Sequence, residues 1–301
     1  MKFTMRNRLF SIIANAYPTD RMGKNKILAS IWRILFYALM PSQPFVMKTE
    51  HYKIKAYPNK GTLTRAVIRR GYWEQLETSS FIHHLQPGSL VIDVGANFGH
   101  YALVASKFVG KTGKILAFEP SAEGFQLLQS NISLLTFQNV IAVQAGLSDE
   151  NCAMNLCIDR CNPGGHSYTK KNVREVGGKQ TTPVYSLDKY LSNNQIPPPV
   201  DLIKIDVQGF EAKVIRGAVQ TIQRDHPVIF CEVTPEATKN SGDDFLELFD
   251  FFKKEKYTIQ YIDIKKKQLE DASYKKASYI LSQPDHEYAD LIFIPPQPSP
   301  Q

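Results

Sequence analysis

The sequence predicts a doubly wound α/β domain with a mostly parallel sheet and helices on both faces, preceded by a basic helical extension. Three observations support this fold class. From residue 89 onward, apolar runs rich in Val, Ile and Leu alternate with helical segments, as is typical of strands buried on both faces of a parallel sheet. A glycine-rich turn follows the first run directly. With 301 residues, 43% of them hydrophobic, the chain suits one large domain with an added segment.

The N-terminal part is the basic part of the chain. Residues 1–88 contain 14 Lys/Arg and 4 Asp/Glu, a balance of +10, whereas the rest contains 22 and 25, a balance of −3. We expect two helices in residues 1–40, interrupted at Pro18, and then an irregular linker over residues 41–58. A basic segment of this kind fits a solvated surface, an anionic membrane or a nucleic acid.

The most apolar stretch covers residues 27–40. Its 14 residues are too few to span a bilayer, which needs about 20, and it lacks the cleavage site of a signal peptide. Two interpretations stay open: a helix packed on the main domain, or a helix lying in a membrane interface. Four cysteines without a CxxC pair fit a reducing compartment better than a disulfide framework or a zinc site. We therefore expect a cytoplasmic protein, with peripheral membrane contact through residues 1–40 as the alternative.

The main domain is expected to follow in order after a first helix over residues 72–85, which ends before a Pro-Gly stop. The expected strands are SLVIDV, KILAFEP, NVIAVQAGL, VDLIKIDV, PVIFCEV, YTIQYIDI and ADLIFIP. The expected helices are HYALVASKFVG, residues 122–135, FEAKVIRGAVQTIQRD and residues 243–256. Two β-like runs around a polar loop interrupt this alternation over residues 149–199, which predicts an inserted β-hairpin or cap. The resulting divisions are an extension over 1–70, a main domain over 71–295 and a flexible tail over 296–301.

The turn after the first strand is the first candidate binding site. Asp93, Gly95, Asn97 and Gly99 directly follow buried β-branched residues and open a helix. In doubly wound sheets, ligands bind at the carboxyl ends of the strands. Gly95 and Gly99 permit a tight turn and a close approach of the backbone, and the helix N-terminus favours a negative group.

An acid at the end of the second strand indicates a ribose-bearing ligand. Glu119 lies 26 residues after Asp93, where a carboxylate accepts hydrogen bonds from both ribose hydroxyls. Asn97 replaces the second glycine of G-x-G-x-x-G, which hinders the close approach that a pyrophosphate needs. S-adenosyl-L-methionine therefore fits better than NAD, and a dehydrogenase is disfavoured. Its carboxylate needs only the turn and the helix end, and its ammonium can pair with Asp93.

Several blocks in order resemble the FkbM-type S-adenosylmethionine-dependent methyltransferase family: VIDVGANFGHYALVA, AFEPS, LIKIDVQGFEAKVIRGA and FCEV. The resemblance is strongest over residues 91–232. It implies a class I methyltransferase (Rossmann-like) fold with a seven-stranded sheet whose last strand is antiparallel. It also implies methyl transfer to a hydroxyl of a glycan, glycolipid or secondary metabolite. The family usually has IDVEG where this chain has Gln208 in place of the acid. GYWEQLET resembles the family's lead-in helix, which implies that Glu74 lies near the methionine end of the cofactor.

Charged residues at the ends of the fourth and fifth strands are the catalytic candidates. Lys204 and Asp206 are two apart and share a strand face, and Glu232 ends the neighbouring run. A lysine inside a buried strand needs a partner. We expect Asp206 or Glu232 to take the proton of the acceptor hydroxyl, with Lys204 orienting them or stabilising the alkoxide. An ion pair that only braces the two strands is the alternative. A divalent metal on the two acids is not favoured, since a third ligand is not evident.

Three further residues have weaker assignments. Asp149, after the third strand, either reaches the adenine amino group or caps a turn. His166 and Tyr168, in the inserted loop, are candidates on the acceptor side. Two other functions stay open: methylation of RNA 2′-hydroxyls, which the basic segment suggests, and a non-catalytic membrane-peripheral protein that keeps a vestigial fold.

Overall fold

The computed structural model describes residues 9–10, 12–13, 26–57, 67, 72–263, 266–283 and 287–297, with the backbone alone for residues 26, 29 and 33. The chain forms two compact units, Met1–Glu74 and Gln75–Gln301. The expected helix break at Pro18 lies outside the described residues.

The first unit contains one long helix and a hairpin. Helix α1 (Lys26–Leu39) is followed by strands β1 (Phe45–Lys48) and β2 (Lys53–Ala56), which pair antiparallel. The expectation of an irregular linker over residues 41–58 is therefore wrong, because a turn closed by Thr49 and Tyr52 joins two short strands. A small core holds the unit together; its buried members are Phe10, Trp32, Phe36 and Ala56.

The second unit has nine helices and eleven strands among its described residues. The helices are α2 (Gln75–His83), α3 (His100–Val109), α4 (Ala122–Ile132), α5 (Leu187–Asn193), α6 (Glu211–Arg216), α7 (Val219–Asp225), α8 (Pro235–Asn240), α9 (Leu246–Lys254) and α10 (Tyr274–Leu281). The strands are β3 (Leu90–Val94), β4 (Lys114–Phe118), β5 (Val140–Val143), β6 (Gly146–Leu147), β7 (Cys152–Asp159), β8 (Val176–Tyr185), β9 (Leu202–Ile205), β10 (Val228–Val233), β11 (Thr258–Asp263), β12 (Gln268–Ala272) and β13 (Ala289–Ile294).

The large sheet confirms the expected fold class. Its order is β12-β11-β13-β10-β9-β3-β4-β5. Strands β5, β4, β3, β9 and β10 run parallel, and β13 pairs antiparallel with both β10 and β11. The sheet thus has the seven expected strands and one more, since the polar strand β12 joins the edge beside β11. The order reverses at β3, so the site expected at the carboxyl ends of β3 and β9 lies at the switch point of the sheet.

The region between β5 and β9 holds a second, smaller sheet. Strands β7 and β8 form an antiparallel hairpin, and β6 pairs with β8. The expected third strand, NVIAVQAGL, is thus divided between two sheets. The expected helix over residues 210–225 is divided as well, into α6 and α7. Gly217 lies at the break, so close to the Ser148 carbonyl oxygen that a side chain would overlap it.

The central strands of the large sheet are buried on both faces, and one large core cluster packs them against the following helices. Residues such as Ile203, Ile229 and Phe293 are fully buried there. The four cysteines are free thiols. Of the helices in the described ranges, none combines the length and the apolar character needed to cross a bilayer.

Candidate active site

The glycine turn is fastened to the end of the neighbouring strand. The backbone amides of Gly95 and Ala96 both donate to the Phe118 carbonyl, at 3.0 and 2.9 Å. Gly95, Asn97 and Gly99 have positive φ angles of 83°, 50° and 97°, which favour glycine and are tolerated by asparagine. A side chain on Gly95 would also overlap the Asp206 carbonyl oxygen. The local sequence therefore allows a turn that larger residues could not form.

Asp93 lies beneath this turn and is 2% exposed. Its Oδ2 accepts a hydrogen bond of 2.9 Å from the Ala102 amide in the first turn of α3. In the sheet register it lies beside Lys204. Burial raises the pKa of Asp93 to about 7, and the Lys204 charge opposes that rise. The carboxylate thus anchors α3 to the sheet; its expected contact with the ammonium of the cofactor stays a prediction.

Glu119 follows β4 and contacts the turn. Its Oε2 accepts from the Asn97 amide and its Oε1 from the Ser121 amide, both at 2.8 Å. The residue is buried, and this burial raises its pKa, against the effect of the hydrogen bonds from Ser121 and Asn97. The structure therefore brings together the predicted cofactor residues Asn97 and Glu119 and holds the carboxylate in one orientation.

Asp206 and Glu232 share one hydrogen-bond donor. The Nε2 of Gln208 donates to Asp206 Oδ1 and to Glu232 Oε1, each at 3.2 Å. Gln208 has a φ of 51°, so the backbone turns sharply after β9 and directs the amide back toward the two acids. This bridge is not evident from the sequence, although Gln208 departs from the family pattern at that position. Among the described residues, no three His, Cys, Asp or Glu side chains form a metal-binding group.

Lys204 lies inside β9 and is 4% exposed. Its Nζ is 5.2 Å from the centre of the Tyr101 ring, a distance at which an ammonium is attracted to the ring face. Asp290 of β13 lies opposite Glu232 in the sheet register. Burial raises the pKa of Asp290 to about 6, and the charge of Lys204 opposes that rise. Asp290 was not among the site residues predicted from the sequence. The one available sign was its place as the second residue of the last expected strand.

The inserted loop, residues 160–172, contacts both turns of the site. The Pro163 carbonyl accepts from Asn97 Nδ2 at 3.3 Å, and Ser167 Oγ donates to the Gln208 carbonyl at 3.0 Å. Within this segment, His166 Nδ1 accepts from the Asp159 amide, and burial lowers the pKa of His166. The loop therefore joins the glycine turn to the turn that carries Gln208.

Tyr168 is anchored on the same loop. Its hydroxyl lies 2.8 Å from Thr182 Oγ1 in β8, and burial, partly offset by the Thr182 hydrogen bond, raises its pKa to about 12. Its ring lies 5.2 Å from that of Phe210. The acceptor-side roles of His166 and Tyr168 stay predictions.

Two further predicted residues are Asp149 and Glu74. Asp149 accepts from Ser148 Oγ at 3.0 Å and from Arg216 Nε at 2.9 Å, and none of these contacts involves the glycine turn. Glu74 is the last residue of the first unit, with a φ of 44°. The adenine contact of Asp149 and the methionine-end contact of Glu74 stay predictions.

Glu211 opens α6 and is a buried acid. Its Oε1 accepts from the Gly209 amide at 2.8 Å, and its Oε2 lies 3.2 Å from Thr238 Oγ1. Burial raises the pKa of Glu211 to about 7, against the effect of the hydrogen bond from Gly209. This carboxyl therefore stabilises the turn after β9 through its hydrogen bond with Gly209.

Comparisons with known proteins identify the family of the chain. The model of the methyltransferase FkbM domain matches residues 93–259, more than half of the chain. Methyltransferase 1 of Beauveria bassiana is 29% identical over 172 residues, which cover 52% of this chain and 67% of that protein. Hexuronic acid methyltransferase AglP of Haloferax volcanii is 28% identical over 137 residues, 46% of this chain, and the match spans only 53% of AglP. A solved FkbM methyltransferase from Methylobacillus flagellatus aligns with a TM-score of 0.43 at 14% identity, over 95% of this chain and 58% of that one. The chain belongs to the FkbM methyltransferase family.

Proposed function

We propose that this chain is an S-adenosylmethionine-dependent O-methyltransferase whose acceptor is a hydroxyl of a glycan, glycolipid or secondary metabolite. The observation that carries the proposal is the pair Asp206 and Glu232, brought to one Gln208 amide at the carboxyl ends of neighbouring strands. A relative named as a hexuronic acid methyltransferase supports a carbohydrate acceptor.

The corner fits the proposed cofactor. Each Glu119 oxygen accepts one backbone amide, and the Ser121 side chain also bonds to this carboxylate. A carboxylate has about four lone-pair sites, so an acceptor position remains for a ribose hydroxyl. The N-terminus of α3 behind Gly99 suits the carboxylate of the methionine part. When bound, S-adenosylmethionine supplies an electrophilic methyl group on its sulfonium.

The remaining chemistry belongs to the side chains of the chain itself. A hydroxyl is a weak nucleophile until its proton leaves, and Asp206 or Glu232 is positioned to accept that proton. A base of this kind contributes roughly 10²–10⁴-fold. Alignment of the acceptor contributes more, since effective molarity alone supplies roughly 7–11 kcal/mol. Gln208 positions the two acids, and Lys204 supplies positive charge behind them.

Two measurements test the proposal. Calorimetry with S-adenosylhomocysteine should show binding by the full chain, and binding should be weaker in Glu119→Gln. Transfer of a tritiated methyl group should then be screened over uronic-acid glycans, glycolipids, hydroxylated metabolites and RNA. Alkaline treatment distinguishes the products, because a methyl ether on a hydroxyl survives it and a methyl ester on a carboxyl does not. Absence of binding, transfer to RNA alone, or only alkali-labile product would overturn the proposal.

A further inference from the structure

Helix α1 exposes a continuous apolar face. Ile27 and Ile34 are 73% and 68% exposed. Four neighbours on the same helix are also exposed: Leu28, Ile31, Leu35 and Tyr37. Scattered apolar residues on a surface need no explanation, but a contiguous apolar patch marks an interaction site.

The exposed residues form one stripe along the helix. Ile27, Ile31 and Ile34 follow the i, i+4, i+7 spacing that places side chains on one helical face. The opposite face carries Trp32 and Phe36, which are buried in the core of the first unit. The inner face thus accounts for the folding of the unit, whereas the outer stripe adds apolar residues that this core does not use.

The charge of the surrounding sequence indicates the chemistry of the partner. The first 88 residues have the balance of +10 given above, and α1 itself contains two basic residues and no acid. On the hairpin of the same unit, the side chains of Lys48 and Lys53 are exposed. An apolar stripe within a basic segment is complementary to a surface that is apolar inside and anionic outside, as a bilayer with acidic headgroups is.

Two other occupants fit these observations less well. A second copy of the chain would bring two segments of the same strong positive charge together, which opposes association. A nucleic acid is bound mainly by cationic side chains that contact its phosphates. The centre of this stripe is isoleucine, which makes no such contact. Tyr37 lies on the exposed side of the helix, and tyrosine is enriched at the boundary between headgroups and acyl chains.

We propose that α1 lies flat in the interface of an anionic phospholipid bilayer, with the stripe of Ile27, Ile31 and Ile34 buried at the acyl-chain boundary. The basic residues of the segment then contact the headgroups. At 14 residues and 1.5 Å of rise per residue, the helix covers roughly 21 Å, which suits an interfacial and not a spanning position. This inference does not rest on the proposed methyl transfer.

Vesicle co-sedimentation of the full chain tests the inference. Phosphatidylcholine vesicles with added phosphatidylglycerol should pellet the protein, pure phosphatidylcholine should pellet much less, and added salt should weaken binding. The double variant Ile27→Ser/Ile34→Ser should reduce binding to the anionic vesicles roughly tenfold or more. Both positions are exposed, so folding should be unaffected. Tyr279→Ser, at a residue 67% exposed on α10, is the matched control and should bind as the unaltered chain does.

Three results would overturn the inference. The unaltered chain could fail to partition into anionic vesicles, or the double variant could partition as well as the unaltered chain. Light scattering could show a dimer that the double variant converts to a monomer, which would assign the stripe to a second copy. Thermal melting of each variant confirms that the protein tested is folded.

Discussion

The backbone of Gly95 lies directly against the carbonyl group of Asp206, so closely that a Cβ atom on Gly95 would overlap that oxygen. The Asp206 amide in turn donates to the Val94 carbonyl at 3.0 Å. The turn proposed to hold the cofactor and the acid proposed to accept a proton are therefore in backbone contact. A displacement of either one changes the position of the other.

The first prediction concerns this contact. We expect Gly95→Ala to lower the free energy of unfolding by more than about 3 kcal/mol, because it combines backbone strain with overlap against a main-chain oxygen. Gly242→Ala is the matched control, since Gly242 has a similar φ of 86° and open space around it. In Gly242→Ala only backbone strain should lower the free energy of unfolding, by roughly 1–2 kcal/mol. Urea denaturation measures both, and equal losses would show that the contact with Asp206 is unimportant.

The second prediction concerns Glu119. We expect Glu119→Gln to weaken binding of S-adenosylhomocysteine at least roughly tenfold, because an amide nitrogen would face the Asn97 or Ser121 amide and leave a buried donor unpaired. Calorimetry measures the change. Glu123→Gln, an exposed acid on α4, serves as the control and should bind normally. Unchanged affinity in Glu119→Gln would remove the ribose contact from the proposal.

The third prediction separates proton transfer from binding. Of Asp206→Asn and Glu232→Gln, we expect the variant that removes the base to lower kcat by roughly 10²–10⁴-fold, with little change in affinity for S-adenosylhomocysteine. Glu236→Gln, an exposed acid at the beginning of α8, should leave kcat unchanged. Full activity in both site variants would show that neither acid is the base.

The fourth prediction concerns Gln208. Replacing it by glutamate puts a third carboxylate where an amide now donates to two others. Like charges make deprotonation of the group harder. We expect the acidic limb of the kcat/KM profile to move to higher pH in Gln208→Glu. Gln208→Met, which lacks both the donor and the charge, should lower activity and move the acidic limb of the profile less. Superimposable profiles for the glutamate variant and the unaltered enzyme would contradict the bridging role.

The fifth prediction concerns stability and pH at Glu211. Its pKa is raised from 4.5 to about 7 in the folded protein, so its contribution to stability is present below pH 4.5 and is lost as the pH rises through about 7. The displacement corresponds to roughly 3 kcal/mol. We expect the free energy of unfolding of Glu211→Gln, relative to that of the unaltered chain, to rise as the pH increases from about 5 to about 8. Urea denaturation at both pH values measures this gain, and Glu236→Gln should show none.

The central strands could be predicted because burial on both faces leaves uninterrupted Val, Ile and Leu runs. Strand β12, with the sequence QLEDA, was not predicted, because an edge strand with exposed polar residues lacks that pattern. The hairpin of β1 and β2 escaped because its strands are four residues each and include three lysines. The break between α6 and α7 lies at Gly217, and its close approach to Ser148 is not visible in the sequence.

In the site, the sequence could indicate which acids end neighbouring strands, since strand ends follow from the apolar runs. Thus Asp93, Glu119, Asp206 and Glu232 were named correctly as residues at the carboxyl ends of strands. The bridge by Gln208 could not be predicted, because it depends on a left-handed backbone angle at that residue. The contacts of the inserted loop depend on chain segments more than 40 residues apart.

The loop over residues 160–172 has one consequence for turnover in the proposed reaction. It bonds to Asn97 on one side and to the carbonyl of Gln208 on the other, so a single displacement breaks both contacts. We therefore expect the spent donor and the methylated product to leave after one opening of this loop. A rate that slows at high solvent viscosity, without a change in the chemical step, would be its kinetic sign.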